Sequence, residues 1–338
     1  MKKIRIGVLC PSEIAFRRFM PALNRLEDFD YIGISVASEK EWFGKGSSDA
    51  AVSDEVKKAE AFSAEYGGKI FCGYEKLITS DEIDAIYIPL PPELHFRWAR
   101  LALESNKHVL LEKPFTTSAE KTKTLISIAK ANKLALHENY MFAFHSQLEF
   151  IKKCIQSGDI GDIRLIRIDF GFPFRGTNDF RYDKRLGGGS LLDCGGYTLK
   201  LASDFLGETA KVSASQLNSK KGFDVDIYGS ATLVNDEGLT AQVSFGMDNS
   251  YRCSLDIWGS SGSIYTNRIL TAPVGYHPVV TIKNADGDKS FTLDDDDCFK
   301  KSIEWFEKCI SCEDVRYAHY DNIYRQALLV DSIKEFGE

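Results

Sequence analysis

Residues 7–15 read Gly-Val-Leu-Cys-Pro-Ser-Glu-Ile-Ala (GVLCPSEIA). The apolar stretch Ile4-Arg5-Ile6 stands behind them and Phe16-Arg17-Arg18-Phe19 ahead, so the segment reads as strand, tight turn and helix. A dinucleotide site opens in this way and is normally marked by glycines spaced G-x-G-x-x-G or A. Here Cys10 and Ser12 stand at the first two glycine places and Ala15 at the third. A phosphate at such a turn is held by backbone N–H groups at the helix start, and glycine only lets it come close. Ser12 adds a hydroxyl, and the amides of Glu13, Ile14 and Ala15 remain. Pro11 removes one donor and Glu13 brings a negative charge. The expectation is a modified but retained cofactor site built on Cys10, Ser12, Glu13 and Ile14. Its helix, Phe16–Leu26, is kinked by Pro21.

Outward from this stretch, strands and helices alternate. Strands are expected at Ile4–Leu9, Tyr31–Ala37, Ala85–Pro89, His108–Leu111 and Leu134–His137, with helices at Glu55–Tyr66, His95–Glu104 and Ser118–Ala131, the last capped by Ser118. Alternation of this kind implies a doubly wound parallel sheet, an α/β Rossmann domain over residues 1–138. Glu41–Ser53, rich in Gly and Ser, reads as an inserted loop. Beyond a helix at Ser146–Ser157 the pattern changes to runs of strands, Ile163–Phe172, Ala210–Leu217, Asp226–Val234, Thr240–Phe245, Cys253–Gly259, Gly262–Asn267 and Val279–Lys283. These predict an α+β domain over 139–338 with a mostly antiparallel sheet, closed by helices at Cys298–Cys312 and His319–Phe336. Asp294–Asp297 reads as a solvated turn.

With 338 residues, 43% hydrophobic and 27% charged, the chain can bury a sizeable core and is not disordered. A net charge of −7 without a basic stripe excludes nucleic acid as a partner. No run reaches the roughly 20 apolar residues of a membrane span, and MKKIRIGVLC is too short a run for a signal peptide. Eight cysteines, of which only Cys309 and Cys312 form a C-x-x-C pair, give no zinc site and no other metal site. They read as reduced, buried thiols of a cytoplasmic protein.

Two stretches carry chemistry. In HVLLEKPF, residues 108–115, Glu112-Lys113-Pro114 falls at the carboxyl end of a buried strand, where open α/β sheets bind ligands. Pro114 biases Lys113 away from helix and holds it at the strand tip. In RLGGGSLLDCGGYTLKLASDFLG, residues 185–207, Gly187–Gly189 make a turn and Ser190 can cap the helix that follows. Asp193 and Tyr197, four apart, share a face. Gly195 and Gly196 between them each cost about 1 kcal/mol relative to Ala, which suggests that something flat approaches the helix there. Removing hydride from an alcohol carbon requires that the hydroxyl proton leave in step. Lys113 can accept or relay it, Asp193 can hold the lysine or a hydroxyl, and Tyr197 can donate to a carbonyl oxygen.

These residues resemble the Gfo/Idh/MocA family, the glucose–fructose oxidoreductase, inositol dehydrogenase and rhizopine-catabolism proteins. The likeness runs through PAL at 21–23, YIPLPPELH at 87–95, KHVLLEKP at 107–114, ENYMFAFHSQ at 138–147, GDIGDIRLIR at 158–167 and FRYDKRLGGGSLLDCGGY at 180–197. It implies an NAD(P)-dependent dehydrogenase or reductase moving a hydride between nicotinamide and a hydroxyl or carbonyl carbon of a sugar, polyol or related molecule. It also implies an open-faced sheet that makes a homodimer or homotetramer. By this resemblance Lys113, Asp193 and Tyr197 are catalytic and also contact substrate. Tyr140 and Tyr182 join them on the substrate side, with Arg175 and His145 nearby. Pro89, Leu90, His95, Glu112, Lys113 and Arg181 line the cofactor, His95 by seating the loop Pro89–Pro92. Coenzyme choice rests on Ser38 and Glu39 at the second strand's end. A carboxylate there binds the ribose 2′-OH, so the reading is NAD(P) with a lean to NAD. The rival reading is a non-catalytic, cofactor- or ligand-binding regulatory protein whose glycines drifted.

Overall fold

The computed structural model describes residues 3–42 and 48–336, and in residues 48–51 the backbone only. It divides into two compact units. The first comprises Met1–Thr116, Glu120–Asn139 and Ser302–Tyr324. Its strands β1 (Ile4–Leu9), β2 (Phe29–Val36), β3 (Lys69–Cys72), β4 (Ala85–Ile88), β5 (His108–Glu112) and β6 (Leu136–Asn139) pair in parallel in the order β3-β2-β1-β4-β5-β6. The winding reverses between β1 and β4, which places the ligand crevice of such a sheet outside their carboxyl ends. All of β4 and Val109–Leu111 of β5 are buried, as strands covered on both faces must be. Burying each of these leucines contributes about 1.5–3 kcal/mol.

A π-helical turn, Ala15–Phe19, leads into α1 (Met20–Leu23). Then follow α2 (Ser48–Tyr66), α3 (Tyr74–Ile78), α4 (Pro92–Glu104) and α5 (Ala119–Asn132). In α4, Pro92 opens the helix without wasting an N–H, and His95, Trp98, Ala99, Ala102 and Leu103 form its buried stripe.

The second unit comprises Thr117–Ala119, Tyr140–Lys301 and Arg325–Glu338. It holds α6 (Ser146–Gln156), β7 (Ile163–Gly171), α7 (Gly196–Leu206), β8 (Lys211–Ser219), β9 (Asp226–Val234), β10 (Thr240–Gly246), β11 (Arg252–Gly259), β12 (Gly262–Asn267), β13 (Val279–Asn284) and β14 (Gly287–Thr292). The eight strands run in the order β14-β13-β12-β11-β7-β10-β9-β8, with β7–β10 the one parallel pair. Ile166, Ile168 and Phe170 of β7 alternate into the core with Val243, Phe245, Leu255, Ile257 and Ile264 of its neighbours. The last helices, α8 (Cys298–Ser311) and α9 (Glu313–Phe336), are divided. Ser302–Tyr324 clusters with the first unit although the sequence reading groups it with 139–338.

Four local expectations are corrected. The inserted loop is shorter than Glu41–Ser53, because α2 already begins at Ser48; residues 43–47 lie outside those described. Strands β3 and β14 went unread, since one is only four residues long and the other is exposed throughout, without alternation. Asp294–Asp297 is solvated only at Asp294 and Asp295. Asp296 accepts from the Ser146 amide (2.8 Å) and Lys301 Nζ (2.6 Å), and Asp297 from the Lys300 amide at the start of α8 (3.1 Å). The eight cysteines are in no disulfide, but Cys72 and Cys312 are exposed and Cys10 is half-buried.

Candidate active site

The turn after β1 keeps the backbone that the fingerprint's first glycine would take. Cys10 has φ +113°, in the region that favours glycine, which costs a side-chain-bearing residue about 1–3 kcal/mol. Ser12 closes the turn through its amide to the Cys10 carbonyl (2.9 Å), and its Oγ accepts from the Ala15 amide (3.2 Å). The Ser12 hydroxyl therefore caps the helix, and the first-turn amides of Glu13 and Ile14 are the groups left for a phosphate. Glu13 turns aside to pair with Arg17 (3.1 Å). The expected kink at Pro21 takes the form of the π turn. Pro21 has no N–H to give Arg17, and the ladder ahead of it loosens so that the Met20 amide reaches the Ala15 carbonyl.

At the end of β2, Glu39 is exposed. The ordered carboxylate is Glu41, which the sequence reading missed. Its Oε2 accepts from the Ser38 amide (2.7 Å), Ser38 Oγ (2.7 Å) and the Tyr74 amide (3.0 Å), its Oε1 from the Glu75 amide (3.0 Å). These bonds hold its carboxyl below the usual range against the opposing pull of burial. The spacing Ser38-x-x-Glu41 is half of a capping box and was the available signal. Glu55, on α2, braces the same corner by accepting from the Ala37 amide (2.9 Å) and Tyr74 Oη (3.3 Å); burial pushes its proton affinity up.

Beyond β4, Pro89 and Leu90 are buried. His95 joins their loop to the Glu112-Lys113-Pro114 turn: its Nε2 lies 2.7 Å from the Leu90 carbonyl and its Nδ1 2.9 Å from that of Pro114. Complete burial drives its pKa down to about 4, so the ring is neutral and donates its single N–H to one of these two carbonyls. The Lys113–Pro114 bond is cis, and Lys113 is half-buried at the tip of β5. Glu112 Oε1 accepts from Tyr87 Oη (2.7 Å) and Asn139 Nδ2 (2.6 Å), while Glu138 holds the Phe115 amide (2.8 Å).

In the second unit the three glycines are needed one by one. Gly187 and Gly189 have φ +77° and +120°, and a Cβ on Gly188 would lie 2.4 Å from the Arg181 carbonyl. Ser190 is not the cap expected of it. Asp226 of β9 is, accepting from Ser190 Oγ (2.6 Å) and the Leu191 amide (2.7 Å). The helix opens with a π turn, Leu191–Gly195, before α7. What approaches its glycines is the protein itself. A Cβ on Gly196 would sit 2.2 Å from Tyr140 Oη, and one on Gly195 would press on Leu191 and Phe245.

Asp193 is buried and accepts from Arg181 Nε (2.9 Å), whose Nη1 also bonds Asp179 (3.1 Å). Arg181, expected to touch cofactor, is an ion-pair partner of Asp193 and Asp179. Tyr197 stands in an aromatic wall with Tyr140, Phe142 and Phe170 at centroid distances of 5.2, 5.7 and 5.3 Å. Tyr140 and Tyr182, expected at the substrate, have hydroxyls engaged inside the protein. Gln326 Nε2 donates to Tyr140 (3.4 Å), and Tyr182 donates to the Met247 carbonyl (2.7 Å). His145 caps α6 by accepting from the Gln147 amide (3.2 Å), and Arg175 lies over the Phe172 ring.

This fold with these motifs defines a class, and comparison with known proteins agrees. Residues 17–140 match the model of the oxidoreductase family with an NAD-binding Rossmann fold, and residues 148–265 match a Gfo/Idh/MocA C-terminal domain. The chain belongs to the Gfo/Idh/MocA family and is a nicotinamide-dependent oxidoreductase, which removes the ground for the non-catalytic reading. It is 36% identical over 332 residues, 98% of this chain and 95% of the relative, to the dTDP-3,4-didehydro-2,6-dideoxy-α-D-glucose 3-reductase of Actinomadura kijaniata. The corresponding enzyme of Saccharopolyspora spinosa is 33% identical over 338 residues, 98% of this chain and 97% of the relative. Among solved structures, the 3-ketoreductase KijD10 from Actinomadura kijaniata, in complex with NADP and TDP-benzene, superposes with a TM-score of 0.91 at 34% identity, covering 100% of this chain and 98% of that one. NADP in that complex supports NAD(P) and gives no support to the lean toward NAD.

Proposed function

We propose that the protein reduces a keto group on a dTDP-linked deoxysugar, with NADPH as hydride donor. The observation that carries this reading is end-to-end similarity to a dTDP-sugar 3-reductase, 36% over 98% of the chain, and the chain also carries Glu112-Lys113-Pro114 and the pair Asp193 and Tyr197. When bound, reduced nicotinamide supplies the hydride. The glycine-like backbone at Cys10 and the amides of Glu13 and Ile14 fit its pyrophosphate. His95 and Glu112 shape the strand ends beside it. The carbonyl oxygen must gain a proton as the hydride is transferred, and Tyr197 and Lys113 are the groups assigned to supply it. Asp193, paired with Arg181, is a hydrogen-bond acceptor suited to a sugar hydroxyl.

A homodimer or homotetramer is part of the same reading. Tyr228, Trp258 and Tyr265 are 48%, 56% and 43% exposed on one face of the eight-stranded sheet, an apolar surface suited to a second copy. A cytoplasmic location accords with eight cysteines that form no disulfide. Among the described residues no helix is long and apolar enough to cross a membrane.

The test is incubation with dTDP-3,4-didehydro-2,6-dideoxy-α-D-glucose and NADPH carrying deuterium at the transferable position. Deuterium on the former keto carbon is expected. Unchanged NADPH with this substrate and with free sugars would reject the reading.

A further inference from the structure

Inside the first unit, seven side chains form one chain of hydrogen bonds. Trp305 Nε1 of α8 donates to His319 Nδ1 of α9 (3.3 Å). His319 Nε2 lies 2.8 Å from His137 Nδ1, and His137 Nε2 lies 2.7 Å from Ser302 Oγ. Ser302 Oγ donates to Asn139 Oδ1 (2.8 Å), and Asn139 Nδ2 donates to Glu112 Oε1 (2.6 Å), which also receives Tyr87 Oη. Ser302, His137 and Asn139 are buried, and the two imidazoles stack at 4.9 Å.

The two ends of this chain fix its direction. An indole nitrogen can only donate, and Glu112 Oε1, reached by Asn139 Nδ2 and Tyr87 Oη, accepts. With Trp305 donating to Nδ1, the proton of neutral His319 sits on Nε2 and points at His137. His137 must then carry its own proton on Nε2 and give it to Ser302. Ser302 in turn donates to the Asn139 oxygen, which leaves the amide nitrogen for Glu112. Reversing any member sets donor against donor at Trp305 or acceptor against acceptor at Glu112. In a buried array such a mismatch costs about 1–3 kcal/mol.

We propose that Trp305 is a remote positioning residue for catalysis: by setting the proton on His319 it fixes the polarity of the chain that aims the Glu112 carboxylate, the neighbour of Lys113. The proposal rests on the reading of Lys113 as an acid–base group. Asn139 and Tyr87 grip one carboxylate oxygen from the two strands flanking β5, so the lysine's own strand tip is set by the same pair of bonds. No net proton travels along the chain. Its product is a fixed geometry at the lysine.

The experiment uses the full chain labelled with 15N-histidine. Long-range 1H–15N spectra, assigned by single replacement of the six histidines, report which ring nitrogen carries the proton. The parent is expected to show His319 and His137 neutral and protonated on Nε2. Trp305→Phe keeps an aromatic ring and removes the donor, so His319 should become a mixture of tautomers. With the dTDP-keto sugar and NADPH, kcat should fall about tenfold, short of the roughly 100-fold that an ångström of misplacement costs, with KM and NADPH affinity unchanged. Ser302→Ala, which cuts the chain at its middle, should reproduce the kinetic effect. A parent His319 protonated on Nδ1 overturns the proposal, as does a folded Trp305→Phe protein that turns over like the parent. Lys113→Met is assayed alongside. If it too turns over normally, the Lys113 reading has failed and takes the proposal's purpose with it, while the spectra still decide the polarity of the chain.

Discussion

At the scale of single residues, His95 shows how burial sets the charge of a side chain packed beside the Glu112-Lys113-Pro114 turn. Its pKa is about 4 when folded, against 6.5 for a free imidazole, because burial excludes the charged form. Between these values the unfolded chain binds the proton and the native protein does not, so stability falls as pH drops from 6.5 to 4. The loss is on the order of 3 kcal/mol by pH 4. His108, also held near 4 by burial, adds in the same direction. Urea unfolding of parent and His95→Gln across this window isolates the one ring. The variant is less stable near neutrality, and the gap should narrow as pH falls. A constant gap would show that His95 titrates normally. The residue type and its place after Pro92 were legible in the sequence, but its two carbonyl partners were not, since one lies 19 residues away. The end of β2 shows a related limit. A count of positions after a strand cannot tell which of two carboxylates turns back into the fold, and Glu41 does so through four donors.

At the scale of elements, the first seven expected strands of the longer sheet are found within two residues at each end, because alternation along a half-buried strand is written in the sequence. The helix that carries Asp193 and Tyr197 was legible only in outline. Its two glycines announced a close approach, yet the approaching group is Tyr140 of the same unit, and the turn that carries Asp193 is π rather than α. Spacing alone cannot reveal either, since both depend on packing against side chains far along the chain. Gly196→Ala should therefore destabilise the protein by about 1–3 kcal/mol, the cost of overpacking, because Tyr140 is buried and its ring cannot retreat. Tyr140→Phe in the same chain removes the clashing oxygen and should recover most of that loss. Thermal and urea denaturation of the two single variants and the double one make the measurement. An additive outcome, with no recovery, would contradict the packing account.

At the scale of the whole molecule, the order β3-β2-β1-β4-β5-β6 and the mixed eight-stranded sheet give the two-part architecture that the alternation, and then the run of strands, led one to expect. The placing of Ser302–Tyr324 with the first unit was not legible, for a helix pattern names a buried face without naming what covers it. The open sheet face carries its own prediction. Trp258→Arg, which puts a charge at the centre of the exposed aromatics, should shift the sedimentation of the parent assembly toward monomer while leaving the fold intact. Sedimentation identical to the parent would place the contact elsewhere. The central claim is that Lys113 and Tyr197 complete hydride transfer by managing one proton, and single-turnover reduction of the dTDP-keto sugar by enzyme-bound NADPH tests it most directly. Lys113→Met should bind NADPH as the parent does and lose roughly 10²–10⁴-fold in the reduction rate, with Tyr197→Phe also slowed. A Lys113→Met protein that reduces the sugar at the parent's rate would contradict the account.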